Sequence, residues 1–303
     1  MQIILGNAIT DRKTVVALGN FDGLHSAHTQ IINNMCQYAE EHSCLGCVLL
    51  FSGHTRKVIN NEDTKLITTE SEKLKLLSTM GVDTVYIREF DREFMQLSPR
   101  DFVKMLVTKI NPEAVCVGYD YRFGYKAEGD TKLLLDLGKE FGFSVIVTEK
   151  MKQNKYTIKS TKIREFLSDG DIRSANTMLG RPYFIIGEVE KGLQNGRKIG
   201  IPTANIGYAP DKLLPENGVY MGYTIIGDDR YKSVINVGNN PTVGADKITV
   251  ESHILDFDYD IYGKIVTVEF VDRIRDEIKF LSLDELKIQI NSDINSARKA
   301  LNK

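Results

Sequence analysis

Hydrophobic and polar residues in the first half of the chain alternate between short apolar runs and longer amphipathic stretches. The apolar runs are four or five residues long, which is typical of parallel strands that helices cover on both faces. They lie at residues 15–18, 47–51, 84–87, 114–117 and 144–148. The amphipathic stretches predict helices at residues 25–41, 70–80, 99–110 and 131–141. We therefore expect an open α/β sheet whose ligands bind at the carboxyl ends of the strands.

The pattern changes after Pro182, where short β-branched segments separated by glycine or asparagine turns replace this alternation. The segments lie at residues 184–189, 219–226, 231–237, 249–254 and 265–270. Gly227-Asp228-Asp229 predicts a hairpin, and a last amphipathic stretch at residues 282–299 begins with a capping pair, Ser282 and Glu285. These features predict a small antiparallel β-barrel with a terminal helix. A chain of 303 residues is long enough for two domains, which we place at residues 1–182 and 183–303.

Composition narrows the function classes without selecting one. Hydrophobic residues make up 42% of the chain and the net charge is −2, so nothing indicates a general nucleic-acid binder. Because no run approaches about 18 apolar residues and no leader pattern opens the chain, we expect a cytoplasmic protein without a membrane partner. Among the four cysteines, Cys44 and Cys47 lack the second pair of a zinc site, and we expect free buried thiols. We expect a monomer or a weak homo-oligomer.

The first candidate site follows the first predicted strand, at residues 19–28. Gly19 and Gly23 allow a sharp turn, and the helix that begins after it presents free N–H groups that favour phosphate. His25 and His28 are three residues apart and share one face of the first helical turn. Their imidazoles can donate hydrogen bonds to a nucleotide phosphate chain. The simpler alternative is that one histidine caps the helix and the other is exposed.

A second candidate site follows the predicted strand at residues 114–117. Tyr121 and Phe123 can pack on a flat ring system, because aromatic side chains stack on other rings. Asp120 can orient the polar edge of such a ligand. By itself this segment is equally consistent with an ordinary glycine-rich loop.

Two more segments, one in each half, suit nucleotide binding. Ser160 or Thr161 can cap a helix, on which Arg164 can hold phosphate through a forked contact or remain solvated. In the second half, Thr203 and Asn205 supply two neutral oxygen ligands on one side of an extended segment. Mg²⁺ needs few protein ligands when nucleotide phosphates supply the others, although a plain turn also explains this segment alone.

The first half resembles known nucleotide-transferring enzymes in three places. Residues 19–28 resemble the signature of the HxGH nucleotidyltransferases, and residues 117–130 and 158–183 resemble loops of the bacterial FAD synthetases. Ala27, Ala127 and Lys159 stand where that family has glycine, arginine and serine, respectively. The family also has two prolines and a histidine after its second strand, where only His54 corresponds in this chain.

The second half resembles the riboflavin kinase module over its whole length. The matching positions are residues 187–189, 192, 196–197, 200–205, 218–220, 236–238, 240–242, 251, 256–257, 262–263, 275 and 279–280. Together the two halves resemble the bacterial bifunctional riboflavin kinase/FAD synthetases. The resemblance implies an N-terminal Rossmann-like HxGH nucleotidyltransferase domain with a parallel sheet. It also implies a C-terminal riboflavin-kinase antiparallel β-barrel with a terminal helix.

The same resemblance implies two reactions and assigns residues to them. Riboflavin would be phosphorylated by ATP to FMN, and FMN would be adenylylated by a second ATP to FAD with release of pyrophosphate. The implied catalytic residues are Glu251 as the base, with His25, His28 and Arg164. Mg²⁺ would be held by Thr203 and Asn205. The implied ATP- or phosphate-binding residues are Gly19, Phe21, Asp22, Gly23, Ser160, Thr161, Gly192, Arg197, Gly200 and Pro202, and the implied flavin-binding residues are Asp120, Tyr121, Phe123 and Arg275.

Three alternatives stay open at the level of sequence. The departures from the family pattern lie in the first half, so one alternative is a riboflavin kinase with an impaired adenylyltransferase site. Another is a nucleotidyltransferase for a pantetheine or cytidylyl substrate. The third is a flavin-binding regulatory protein without turnover. For the main interpretation, the expected binding partners are small-molecule flavins and ATP, without nucleic acid.

Overall fold

A computed structural model describes residues 1–6, 10–52, 65–153, 155–192, 196, 200–239 and 248–302. The chain forms two compact units, Met1–Ser160 and Thr161–Lys303. His54 and Arg197, both singled out from the sequence, lie outside the described residues.

The first unit is built on a parallel sheet with the strand order β1-β4-β3-β2-β5-β6. The strands are β1 (Gln2–Leu5), β2 (Thr14–Leu18), β3 (Leu45–Ser52), β4 (Thr84–Glu89), β5 (Pro112–Gly118) and β6 (Ser144–Thr148). The five predicted strands are confirmed, and β1 is an addition that pairs with β4 at the edge of the sheet. Because β2 lies between β3 and β5, the strand order reverses beside β2. Ligands of such sheets bind at this switch point, at the carboxyl ends of the strands.

Helices cover both faces of the sheet, as predicted. They are α1 (Ser26–Glu41), α2 (Glu70–Ser78), α3 (Arg92–Met95), α4 (Pro99–Ile110) and α5 (Thr131–Phe141), with a short hairpin of β7 (Lys152–Gln153) and β8 (Tyr156–Thr157) after β6. Successive residues of β2 point to opposite faces: Val15 and Ala17 pack in the core with α1 and α2, and Val16 and Leu18 in the core with α4 and α5. Burial on both sides explains why this strand reads as a continuous apolar run.

Two helices, α6 (Ser160–Ser168) and α7 (Ile172–Leu179), follow the first unit. The side-chain amide of Asn176 in α7 donates to the Phe270 carbonyl (2.8 Å) and accepts from the Tyr183 N–H (2.6 Å). The turn between the helices contains Gly170 (φ 71°), where a Cβ would lie 2.7 Å from Nη1 of Arg273. These contacts connect α7 and the turn before it to the barrel, and all of α6 except Ser160 lies in the same compact unit. The limits predicted for the two domains stay a prediction.

The second unit is a closed antiparallel barrel with the strand order β10-β13-β12-β11-β14-β9. Its strands are β9 (Tyr183–Glu190), β10 (Ala204–Ile206), β11 (Gly218–Ile226), β12 (Asp229–Asn239), β13 (Ile248–Ile254) and β14 (Ile265–Arg275), and its terminal helix is α8 (Leu283–Ala300). Ile226 pairs with Asp229, which confirms the two-residue hairpin at Gly227-Asp228. Ser282 caps α8 by accepting from the Glu285 N–H (3.2 Å). The barrel and its terminal helix are thus confirmed.

Helix α8 packs on the outside of the barrel. Ala297 is fully buried in a cluster with Val219, Met221 and Val234 of β11 and β12. None of the helices in the described part of the chain is long and apolar enough to cross a membrane.

Candidate active sites

The turn between β2 and α1 has a strained backbone, which is a common feature of functional turns. Phe21 (φ 48°) and Leu24 (φ 39°) both adopt the left-handed backbone region, which non-glycine residues rarely enter, and Gly23 lies between them (φ 86°). The ring of Phe21 is fully buried and lies against Gly19, where a Cβ would be 3.2 Å from it. The side chain of Phe21 therefore holds the turn in the core, and a contact of this residue with phosphate would involve its backbone.

Asp22 anchors the same turn. Its carboxylate accepts hydrogen bonds from the N–H groups of Ile67 (3.0 Å) and Thr68 (3.3 Å), and the Thr68 hydroxyl accepts from the Gly23 N–H (2.9 Å). Its backbone carbonyl accepts from the Ser160 hydroxyl (2.9 Å). The carboxylate of Asp22 therefore positions the turn, and the part of this residue in phosphate binding stays a prediction.

His25 and His28 stand at the N-terminus of α1, as predicted. His25 caps the helix: its Nδ1 accepts from the His28 N–H (3.3 Å), so the proton of the neutral ring is on Nε2. The two rings are stacked, with centroids 3.7 Å apart and planes 11° apart. His25 is thus the cap that the simpler alternative described, and His28 is half-buried against its ring.

His28 is in an electrostatic setting that keeps its imidazole neutral. Burial lowers the pKa of His28 well below its usual value, and the charges of His25 and Lys73 lower it further. Its Nδ1 is buried, and no hydrogen-bond partner for it is found among the described residues. Because a buried polar nitrogen normally has a partner, this atom suits a ligand that arrives at the helix N-terminus. The residues present therefore fit a nucleotide phosphate chain.

The loop after β5 separates the predicted flavin-binding residues into two groups. Phe123 is 5% exposed and packs with Phe102 in the core, and the ring of Tyr121 stacks on it with centroids 5.7 Å apart. Burial raises the pKa of Tyr121, which keeps its hydroxyl protonated. Phe123 therefore supports the loop from below, and its contact with a flavin stays a prediction.

Asp120 remains at the surface of this loop, paired with a residue that departs from the family pattern. Its carboxylate lies 2.9 Å from the Lys159 ammonium, and this hydrogen bond raises the pKa of Lys159, as does a second one to Tyr119. The ion pair joins the loop after β5 to the start of α6 within the first unit. Thr161 and Arg164 stand on the part of α6 that belongs to the second unit, and their predicted roles stay predictions.

The second site lies on the outer wall of the barrel. Val250, Ser252 and Ile254 of β13 are buried, so Glu251, which lies between them in sequence, faces outward. The Thr203 hydroxyl donates to Glu251 Oε2 (3.0 Å), and Asn205 on β10 is the direct register partner of Glu251. The structure thus brings together the three residues predicted for catalysis and metal binding in this half.

Glycines bring a second backbone segment against this wall. A Cβ at Gly192 would overlap the side-chain amide of Asn205, and one at Gly196 would overlap the Ile201 carbonyl, so both close approaches require glycine. Gly200 has open space around it, and its φ of 78° instead marks a left-handed turn just before Pro202.

The donor set of this wall suits a hard cation that is shared with a nucleotide. The candidate protein ligands are the neutral side-chain oxygens of Thr203 and Asn205, and within the described ranges no group of three or more His, Cys, Asp or Glu residues is placed to hold a metal. A divalent cation here would take most of its oxygens from phosphates and water, which is how Mg²⁺ is usually bound in kinases.

Arg275, predicted to bind flavin, is instead engaged with the terminal helix. Its Nε and Nη2 lie 3.1 and 2.9 Å from Asp293 Oδ2, and Asp293 is almost fully buried. Gln289, one turn earlier in α8, donates a further hydrogen bond to Asp293 (2.9 Å). Asp293 was not singled out from the sequence; its position four residues before Ala297, on the same face of the predicted helix, is the signal that could have found it.

Two models of protein families match the chain: one described as FAD synthetase over residues 8–162, and one described as riboflavin kinase over residues 179–301. A bifunctional riboflavin kinase/FMN adenylyltransferase of Bacillus subtilis is 34% identical over 94% of this chain and 92% of its own. The one from Haemophilus influenzae is 35% identical over the full length of both chains. A solved structure from Streptococcus pneumoniae, titled macrolide-efflux protein, is 30% identical with a TM-score of 0.89 over 98% of this chain and 99% of that chain.

Proposed function

This chain belongs to the bifunctional riboflavin kinase/FMN adenylyltransferase family, and from that premise we propose that each compact unit carries one of the two reactions. The protein is an enzyme that phosphorylates riboflavin to FMN with ATP and adenylylates FMN to FAD with ATP. The first unit would form FAD and the second FMN, with riboflavin, FMN, FAD and ATP as substrates or products. The division rests on the two separate family matches, one in each half.

For the kinase reaction, the outward-facing wall of the barrel supplies the catalytic groups. The 5′-hydroxyl oxygen of riboflavin attacks the γ-phosphorus of ATP, and the bond to the β,γ-bridging oxygen breaks as ADP leaves. Glu251 would accept the hydroxyl proton, since its carboxylate already accepts a hydrogen bond from Thr203 at 3.0 Å. Thr203 and Asn205 would hold Mg²⁺, which when bound neutralises charge on the transferred phosphoryl group. Gly192 lies close against the Asn205 side chain.

For the adenylyl reaction, the N-terminus of α1 supplies charge stabilisation. A phosphate oxygen of FMN attacks the α-phosphorus of ATP, and pyrophosphate leaves. The FMN phosphate is already ionised, so this step needs positioning and a stabilised leaving group and does not need a base. His25 and His28 stack at this helix end, and the Ser160 hydroxyl fixes the turn that carries them. Thr161 and Arg164 are assigned to the same step from their motif alone.

The observation that carries the proposal is the Thr203–Glu251 hydrogen bond beside Asn205, because it unites the predicted base with both predicted metal ligands. A chromatographic assay of the purified protein with Mg·ATP, run once with riboflavin and once with FMN, tests it. FAD from both flavins is the expected result. FMN that accumulates without FAD would contradict the role of the first unit, and FAD from FMN alone would contradict the role of the second.

The remaining parts of the proposal concern the setting of the enzyme. We propose Mg²⁺ as the metal, small-molecule flavins and ATP as the binding partners, and the cytoplasm as the location. Support for the metal comes from the oxygen donors of Thr203 and Asn205. Replacement of Mg²⁺ by Ca²⁺, which prefers more ligands at longer distances, should lower the rate of FMN formation.

A further inference from the structure

His253 lies beside the proposed kinase site and was not singled out from the sequence. It follows Glu251 by two residues on β13, and side chains two apart on a strand face the same side. Its neighbours Ser252 and Ile254 are buried, so His253 stands on the outer wall of the barrel together with Glu251.

The imidazole of His253 makes a hydrogen bond that has only one possible direction. Its Nδ1 lies 2.8 Å from the Pro202 carbonyl oxygen, and because a carbonyl only accepts, Nδ1 carries the proton and donates. Proline has no N–H, so the carbonyl is the one backbone group through which Pro202 can be held. Pro202 directly precedes Thr203, the predicted metal ligand.

The position of this bond matters because it lies beyond the strand ladder. The register between β10 and β13 begins with Ala204 opposite Ser252, so Pro202 and Thr203 precede the paired residues of β10. Two side chains of β13 reach this segment instead: Glu251 accepts from the Thr203 hydroxyl, and His253 donates to the Pro202 carbonyl. The Asp256–Arg298 ion pair contributes opposing charges to the surroundings of His253.

We infer that His253 is a positioning residue of the kinase reaction, which holds the Pro202–Thr203 backbone so that Thr203 points at the metal-nucleotide. The inference rests on the proposed function of the barrel and goes beyond it by adding a residue that acts through Pro202. The required property is a donor at Nδ1, and both the neutral Nδ1–H tautomer and the imidazolium provide it. Loss of the donor should therefore weaken the use of Mg·ATP while the riboflavin KM stays within about twofold. Removal of groups that orient metal ligands typically costs about 10–100-fold.

The test compares H253A with H253N and H253Q. Asparagine places an amide N–H near the position of Nδ1, whereas glutamine places the same amide one bond further away. We expect H253A and H253Q to lose about tenfold or more in kcat/KM for Mg·ATP, and H253N to retain activity within about threefold. FMN adenylylation, assayed on the same preparations, should be unchanged in all three variants.

Four outcomes bear against the inference or its premise. An H253A variant with wild-type kinetics would overturn it, as would an H253N variant as impaired as H253A. A riboflavin KM that rises as much as the KM for Mg·ATP, together with a lower melting temperature, would show that His253 serves folding only. If the wild-type protein forms no FMN, the proposed function fails, and calorimetric titration with Mg·ADP then decides on His253. In that titration the inference requires weaker binding in H253A and recovery in H253N.

Discussion

Removal of the Asp293 carboxylate tests whether Arg275 serves the barrel or the flavin. Asp293 and Arg275 have side chains that are 3% and 16% exposed, and the guanidinium donates to the carboxylate through Nε and Nη2. Loss of one partner from a buried ion pair costs about 3–5 kcal/mol, because the other charge is left without compensation. Arg275 retains some contact with water, so we expect the lower end, about 3 kcal/mol, for D293A.

The assay is thermal unfolding, with the transition of the barrel identified by the loss of kinase activity in heated aliquots. For a unit of this size, about 3 kcal/mol corresponds to a fall in melting temperature of roughly 6–12 °C. D256A is the matched control, because Asp256 also binds an arginine of α8, Arg298, through two hydrogen bonds. That pair is exposed, so D256A should cost less than about 1 kcal/mol.

A double-mutant cycle with R275A completes the test. If the pair serves stability, the double variant should unfold at a higher temperature than D293A, because it leaves no charge without compensation. The reasoning is refuted if the two single losses simply add. It is also refuted if R275A raises the riboflavin KM more than tenfold at an unchanged melting temperature, which would restore the predicted flavin contact.

Three other predictions follow from the two sites. E251Q should lower the rate of FMN formation by about 10²–10⁴-fold, while FAD formation from FMN and the melting temperature stay at wild-type values. A kinase rate near that of the wild type would exclude Glu251 as the base. The pKa of His28 is lowered in the folded state, so below about pH 6.5 the unfolded state binds more protons and the unfolding free energy should fall by up to about 1.4 kcal/mol per pH unit. Urea denaturation at pH 7.5 and at pH 5.5 should show a smaller fall in unfolding free energy for H28Q than for the wild type. An equal fall in both proteins would contradict the assignment of the pH dependence to His28. G192A should raise the KM for Mg·ATP in the kinase reaction, because its methyl group overlaps the Asn205 amide. An unchanged KM would show that the close approach is dispensable.

Elements that are buried on both sides or capped by short-range signals could be predicted from the sequence. Strand β2 is fully buried and reads as an apolar run, and the capping Ser282 marks the start of α8. Strand β1 was missed because it is an edge strand with Leu5 70% exposed, and β10 because three residues carry too little pattern. The spacing of short strands also predicted the barrel, whereas the function of the barrel came from the resemblance to a family, which periodicity alone could not supply.

The sequence predicted which residues lie together at each site better than it predicted the role of each residue. His25 and His28, and likewise Thr203, Asn205 and Glu251, lie together as expected. The roles of Asp22, Phe123 and Arg275 depend on partners distant in sequence: Thr68, Phe102 and Asp293, respectively. A polar or aromatic residue in a family motif can bind a ligand or hold the motif in place, and only the tertiary partners distinguish these two uses.

The outward direction of Glu251 and its neighbours on β13 bears on how the two activities can change over evolution. Thr203, Glu251 and His253 take no part in packing the barrel interior, which Val250, Ser252 and Ile254 fill. Substitution at these outer positions should therefore cost little stability, even where it lowers the rate of FMN formation. In the first unit, Phe21 belongs both to the turn before α1 and to the hydrophobic core. Substitutions in this turn are therefore constrained by folding as well as by chemistry. Directed evolution for new phosphoryl acceptors should accordingly find more viable variants on the barrel wall than in the turn before α1.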